Sequence, residues 1–295
     1  MDKIKQVAIV GGTHGNEFTG VYLVKKFANS PQLVKRESFN TMTMLANQQA
    51  FKQVKRYVGK DLNRCFLNSD LQNENLATME EKRAKEINQI FGPKGNAKVD
   101  FILDLHSTSA NMGLSIILVN HKPFNLRVAA YLSTINPEVK IYSWTELGKE
   151  NCFLNSLCDR GFSIEVGPVA PGSLNAAIFQ KTEQLIYEML DYLDADNQGN
   201  SGEKITVINI YQHLRVVDYP KNSAGEIEAM IHPQLQGRDY EPLHPGDPMF
   251  INFDGKTIFY EGEYTVYPLF INEVAYYEKG IAMCLTQKKM LEINY

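Results

Sequence analysis

The sequence predicts an α/β fold with a smaller β-rich part at its C-terminal end, and three observations carry that reading. Apolar runs with β-branched residues, at 7–10, 99–105, 114–119 and 161–166, alternate with stretches whose apolar residues recur at helical spacing. Two of those runs end on residue types that ligate metals: His14 and Glu17 follow the first, and His106 terminates the second. Beyond Asp194 the helical pattern stops, and short runs punctuated by Pro and Gly replace it.

Taken in order, residues 7–20 (Val-Ala-Ile-Val-Gly-Gly-Thr-His-Gly-Asn-Glu-Phe-Thr-Gly) read as a buried strand, a tight polar turn and the start of a helix. That helix continues to Phe27, with Val21, Leu23, Val24 and Phe27 available for a buried face. Residues 40–46 alternate as a strand, and 56–64 (Arg-Tyr-Val-Gly-Lys-Asp-Leu-Asn-Arg) form a polar loop. Thr78 and Glu81 have capping-box spacing for a helix to Phe91, which Gly92-Pro93 stops. Strands at 99–105 and 114–119, a helix at 126–135 and extended segments at 139–144 and 161–168 follow. Ser173 or Asn175 opens a long amphipathic helix through Leu193. A turn-rich hinge at 197–204 then sets a domain boundary near residue 200. Past it, short strands are expected at 205–210, 214–219, 226–231, 249–253 and 264–271.

A chain of 295 residues, 44% hydrophobic and 22% charged, is an ordinary soluble globular protein with room for one large or two modest domains. Its net charge of −4 argues against a general binder of nucleic acid or membrane surfaces. Four scattered cysteines without a Cys-x-x-Cys pair give neither a disulfide framework nor a zinc ribbon, so buried apolar roles are expected for them. The apolar run near the N-terminus is too short for a signal peptide, and no later run spans a bilayer. A cytoplasmic protein with a small-molecule partner is the plain expectation. Homo-oligomerisation is compatible with this sequence and not specified by it.

The chemistry starts from His14 and Glu17. A His-x-x-Glu pair alone is a weak signal, and Gly11, Gly12 and Gly15 would equally serve a phosphate-binding turn. However, the Gly-Lys-Ser/Thr ending of a P-loop and the spacing of a dinucleotide fingerprint are both absent. His106 supplies a third ligand from another strand end, so His14/Glu17/His106 is the working zinc site, with an open position for hydrolysis. Glu165, a carboxylate inside an apolar run, is either one half of an ion pair or a general base. Arg56, Asn63 and Arg64 are either charged and polar side chains of a solvated loop or a clamp for a carboxylate and an oxyanion. Asp61 is placed to hold an imidazole or an arginine. Ser107 and Thr108 read as turn residues, and His121, His213, His232 and His244 as surface or capping residues. Residues 275–279 read as aromatic packing or as a tyrosine reaching the site.

Together, Gly-Gly-Thr-His-Gly-Asn-Glu, Asp-Leu-Asn-Arg, Asp-Leu-His-Ser-Thr and Ile-Glu-Val-Gly-Pro resemble the aspartoacylase family. That family groups with the succinylglutamate desuccinylases among zinc carboxypeptidase-like folds. The resemblance continues through Val217-Asp-Tyr-Pro, His244-Pro-Gly-Asp-Pro-Met-Phe and Asn272-Glu-Val-Ala-Tyr-Tyr-Glu-Lys. It implies a zinc carboxypeptidase-like mixed sheet flanked by helices over residues 1–200. A β-rich domain over 201–295 would then narrow the active-site channel.

By the same resemblance, His14, Glu17 and His106 hold one zinc ion per chain, Glu165 is the catalytic acid/base and Arg56 polarises the scissile carbonyl. Asn63, Arg64 and Tyr276 match substrate-binding positions, alongside Arg56 and Glu165. The implied activity is deacylation of small N-acyl amino acids, N-acetyl-L-aspartate to acetate and L-aspartate first among them. The alternatives are an aminoacylase for other N-acyl amino acids, a desuccinylase and a non-catalytic binding relative. Two positions depart from the family pattern: Asn155 stands where an arginine is expected and Gly280 where a lysine is expected. Both remove positive charge from the specificity end.

Overall fold

Strand β1 (Gln6–Gly11) shows how this fold is built, because both of its faces are covered. Val7 and Ile9 pack into one apolar cluster, and Ala8 and Val10 into another on the opposite side of the sheet. That double burial is why the run is continuously apolar rather than alternating. In the computed structural model, which describes residues 3–145 and 151–294, helix α1 (Phe18–Asn29) follows, then β2 (Asn40–Leu45) and α2 (Gln48–Lys52). Next come α3 (Asn68–Gln72), α4 (Met79–Phe91), β3 (Phe101–Ser107), β4 (Gly113–Leu118), α5 (Pro123–Ile135) and β5 (Val139–Ser143). β6 (Gly161–Gly167) and α6 (Ala176–Asn197) complete the alternating part. The C-terminal strands are β7 (Val207–Val217), β8 (Ala229–Ile231), β9 (Pro248–Asn252), β10 (Thr257–Phe259), β11 (Tyr267–Leu269) and β12 (Met283–Glu292).

The architecture is a mixed sheet flanked by helices and followed by a β-rich C-terminal part. The described strands form a nine-stranded sheet in the order β11-β12-β7-β5-β4-β6-β3-β1-β2 and a separate three-stranded sheet, β10-β9-β8. β1 pairs in parallel with both β2 and β3, and β3 with β6, whereas β4 runs antiparallel to β6. Helices α1, α5 and α6 cover one face; α4 and the segment around Leu154 cover the other. The expected capping box at α4 is present: Thr78 Oγ1 accepts from Glu81 N at 3.2 Å, and Thr78 N donates to Glu81 Oε2 at 3.0 Å. Asn175, not Ser173, caps α6. No described helix is long and apolar enough to cross a membrane.

Several expectations change. β3 starts two residues later than expected and continues to Ser107, so His106 lies inside the strand rather than after it. α5 begins at Pro123, not 126, since proline is favoured at the first helical turn. The strands expected at 205–210 and 214–219 are one eleven-residue strand, β7. Its long partner β12, unforeseen because Gln287, Lys288 and Lys289 break the apolar pattern, pairs antiparallel with it from Met283↔Val217 to Glu292↔Val207. β7 also pairs in parallel with β5 through Tyr142↔Tyr211 and Ser143↔Gln212. The C-terminal strands therefore extend the main sheet, and only β8–β10 form a sheet of their own.

Close packing of α1 on the sheet depends on Gly20, where an added Cβ would lie 2.7 Å from the Leu105 carbonyl oxygen. Gly20→Ala is expected to force the helix off β3 and cost about 1–3 kcal/mol of stability. The measurement is the urea midpoint at unchanged slope. An unshifted midpoint would mean that helix and strand do not touch there.

Candidate active site

Strand alternation selects the face on which the site is built. On β3, Phe101, Leu103 and Leu105 enter the core under α1, so Asp104 and His106 point to the opposite side. On β6 the same alternation sends Ser163 and Glu165 to that side, and register places His106 beside Glu165 and Asp104 beside Ser163. β1 ends next to β3, with Gly11 paired to Leu105. Gly12 takes a positive φ of 68°, which turns the chain so that His14 faces His106. Glu17 occupies the N-cap position of α1 but does not cap it with its side chain.

That carboxylate instead lies between the imidazoles: Oε1 is 2.6 Å from His14 Nδ1 and Oε2 is 2.9 Å from His106 Nδ1. The two Nδ1 atoms are 3.2 Å apart. Each outer nitrogen donates to a buried carboxylate, His14 Nε2 to Asp61 at 3.0 Å and His106 Nε2 to Asp104 at 2.8 Å. Thr13 Oγ1 in turn donates to Asp104 at 2.7 Å. A proton fixed on each Nε2 leaves each Nδ1 lone pair directed at Glu17. Three electron-pair donors facing one another in a buried crevice require a cation among them, either protons or a metal ion. Burial opposes charge on Glu17, but the imidazoles of His14 and His106 outweigh it and hold the carboxyl below its usual range. Burial likewise opposes charge on His106, yet Asp104 and Glu17 raise its affinity for a proton. Asp61 fills the outer position anticipated for it. Asp104 was missed, although its place two residues before His106 on a strand was the available signal.

Glu165 is half-buried and opens onto the pocket. Burial first, then the charge of Glu17, pushes its carboxyl well above the usual range. Arg56 crosses the site with Nη1 donating to Glu17 at 2.9 Å and Nη2 3.7 Å from Asp61, and its buried Nε has no acceptor among the described residues. The loop that carries it is held at both ends. Gly15 N donates to Arg56 O at 3.1 Å, and the amides of Val58 and Gly59 donate to Glu80 of α4 at 2.7 and 3.1 Å.

Asn63, Arg64 and Tyr276 all line the same pocket. Asn63 Oδ1 is committed to the Leu154 amide at 2.8 Å, which leaves the Nδ2 end, 3.5 Å from His106 Nε2, to meet a ligand. The Arg64 guanidinium lies 4.6 Å from the Phe153 ring centre. Tyr276 arrives on a 3-10 turn, Val274–Lys279, and burial pushes its hydroxyl up, keeping it a donor. That turn is anchored by Glu273, which accepts from Thr108 Oγ1 and, at 2.7 and 3.1 Å, from the Ser109 and Ala110 amides. Thr108 is thus a buried partner of Glu273, not merely a turn residue.

The far wall is aromatic: Tyr142, Trp144, Phe153 and Phe270, with Ile117 and Val119. No sequence signal had identified it. His213, expected at the surface, is stacked on Trp144. His121 is half-buried against Ser143 Oγ at 2.7 Å; His232 accepts from the Gln234 amide and His244 is exposed, as expected of capping and surface residues. Asn155 is 2% exposed, and Phe153 is the member of its segment that lines the pocket. Gly280 has φ 64°, a conformation a lysine would adopt at a cost, and the neighbouring Lys279 Nζ lies 3.3 Å from Asp61.

With this geometry in place, comparison with known proteins is decisive. The profile of the succinylglutamate desuccinylase/aspartoacylase catalytic domain matches residues 3–193. The chain belongs to the succinylglutamate desuccinylase/aspartoacylase family. Residues 206–288 match the AstE/AspA barrel-sandwich hybrid domain. Among relatives of this family member is a probable aspartoacylase of Trichodesmium erythraeum, 59% identical, covering 99% of this chain and 100% of the relative. The human N-acyl-aromatic-L-amino acid amidohydrolase (carboxylate-forming) is 41% identical, covering 97% of this chain and 92% of the relative. The crystal structure of murine aminoacylase 3 superposes with a TM-score of 0.93 at 38% identity, covering 99% of this chain and 98% of that one.

Because Asp104 fixes the tautomer of His106, Asp104→Asn is expected to weaken divalent-metal binding about 10–100-fold. A chelator-competition titration measures this. Unchanged affinity would show that the imidazole needs no such partner.

Proposed function

We propose that this chain is a zinc-dependent amidohydrolase that deacylates small N-acyl amino acids. The observation that carries the reading is the cluster of His14, Glu17 and His106, whose ligand atoms lie within 4.8 Å of one another, facing Glu165 and Arg56. Two imidazoles and one carboxylate are the donor set of a catalytic zinc site, and their outer partners fit the same assignment. Bound there, zinc supplies a Lewis acid and lowers the pKa of water.

The residues divide the remaining work. Glu165 takes the proton of the attacking water and delivers it to the amide nitrogen as the C–N bond breaks. A carboxyl with raised proton affinity suits both transfers. Arg56, which lines the pocket, donates to the carbonyl oxygen as it gains negative charge. Arg64, with Asn63 Nδ2 and the Tyr276 hydroxyl, holds the carboxylate of the amino acid. We take residues 1–200 as the hydrolase domain and 201–295 as the domain that narrows its channel. The two parts also touch directly: Tyr57 donates to Glu278 at 2.5 Å, and Lys279 Nζ lies 3.3 Å from Asp61.

N-acetyl-L-aspartate is the substrate that the family resemblance puts first. A second reading, neutral and aromatic N-acyl amino acids, is favoured by the aromatic far wall and by the loss of cations at 155 and 280. A charge-assisted hydrogen bond contributes about 1.5–3 kcal/mol, so one fewer lowers preference roughly tenfold to a hundredfold. N-acetyl-L-aspartate is therefore expected to be hydrolysed with only modest preference over neutral analogues. Side-by-side kcat/KM values measure it, and a preference near four powers of ten would require another cation at the specificity end.

Glu165→Gln tests the mechanism. The variant is expected to keep its metal and fold while losing roughly 10²–10⁴ in kcat. Turnover near that of the unaltered enzyme would place the general base elsewhere.

A further inference from the structure

We infer that Trp144 is the residue that selects the substrate's amino-acid side chain, and that His213 holds its indole in position from the neighbouring strand. The inference rests on the deacylase reading and adds to it the side-chain subsite. Trp144 follows directly on β5, and its amide donates to Leu118 O at 2.8 Å, which fixes the backbone. Because Ser143 pairs with Gln212, the parallel register of β5 and β7 brings His213 alongside Trp144. The two rings stack with centroids 4.4 Å apart and 10° between planes. Tyr142, 2.9 Å from His213 Nδ1 through its hydroxyl, fixes the orientation of that imidazole. With one face covered by His213, the indole presents its remaining surface to the pocket that contains Arg64 and Glu165.

Position in the sheet decides which part of the substrate reaches it. Strand order from the metal-ligand cluster outward is β3, β6, β4, β5, so Trp144 lies three strand spacings, about 14 Å, across the sheet from His106. The antiparallel register of β4 on β6 displaces it by about four residues, roughly 13 Å, along the strands as well. An acetyl methyl, one bond from the reacting carbon, stays beside His106 and Glu165. Arg64, the carboxylate holder, lies over Phe153, which belongs to the same aromatic wall as Trp144. A substrate with its carboxylate on Arg64 branches at its α-carbon. The nitrogen branch runs back to Glu165, and the side chain runs to Trp144. Apolar and above all aromatic side chains gain from that surface, through burial and ring stacking.

Trp144 is the single tryptophan of the chain, so its emission reports the subsite without any turnover. Titrating the zinc-loaded enzyme with the product L-phenylalanine is expected to change that emission more than titration with L-alanine. In kinetics, Trp144→Ala is expected to lower kcat/KM for N-acetyl-L-phenylalanine about tenfold more than for N-acetyl-L-alanine, chiefly through KM. Trp144→Phe restores most of the difference. His213→Ala shows a smaller effect of the same kind, and His213→Phe, which keeps the stack, recovers it.

Equal losses on both substrates in Trp144→Ala would overturn the inference. A changed preference between acetyl and butyryl groups, in place of one between side chains, would also overturn it. So would unchanged emission with L-phenylalanine in an enzyme that hydrolyses its N-acetyl derivative. If the unaltered enzyme hydrolyses no N-acyl amino acid yet its emission responds selectively to L-phenylalanine, the subsite stands and the deacylase reading fails.

Discussion

Two imidazoles share one carboxylate in a buried crevice, and much of the molecule is arranged to make that tolerable. His14 and His106 are each about 4% exposed or less, as are few polar side chains without a partner. Charge balance is supplied in rings: Glu17 between the imidazoles, Asp61 and Asp104 behind them, and Arg56 bridging Glu17 to Asp61. These groups come from three places: His14 and Glu17 from the turn after β1, Asp104 and His106 from β3, and Arg56 and Asp61 from the loop at 56–64. Their meeting depends on the parallel register of β1 with β3, which pairs Gly11 with Leu105 and so brings the turn after β1 beside His106. Parallel strands with helices on both faces place such crevices at the carboxyl ends of the strands.

The same sheet supplies the reacting and the selecting parts of the pocket from different strands. β3 and β6 bring His106 and Glu165 side by side, and β4 and β5 carry the apolar wall. The C-terminal part joins the sheet at β5 through β7, and its Phe270 and Tyr276 line the pocket. Two buried carboxylates tie this part to the turn after His106. Glu273 accepts from residues 108–110, and Asp239 accepts from the amides of Asn111 and Ile271 at 3.2 and 3.0 Å. Burial pushes the Asp239 carboxyl up to about 6. The outcome is a Tyr276 whose position is set by the loop that follows a metal-ligand candidate.

The sequence by itself determined the local pieces. Continuous apolar runs ending in His14 and in His106 specify buried strands with polar ends. The Thr78/Glu81 box specifies where α4 starts, and the break after α6 specifies where helices stop. The residues nominated for chemistry, His14, Glu17, His106, Glu165, Arg56, Asn63, Arg64 and Tyr276, converge on one site. Most lay in motifs dense enough in polar groups to be found without a partner in view.

Only the tertiary structure decided what depends on which strand lies beside which. Asp104 is an ordinary strand residue until the sheet turns it toward His106, and Thr108 an ordinary turn residue until Glu273 arrives from 165 positions away. β12 has too polar an outer half to be recognised alone, and becomes a strand because β7 offers it an edge. The aromatic wall is the clearest case. Trp144, Phe153 and Phe270 carry no motif, and the stack of His213 on Trp144 exists because β7 pairs with β5 across more than sixty residues of chain. Periodicity and capping are local and can be read from sequence, whereas strand order and register are long-range and set the composition of the pocket.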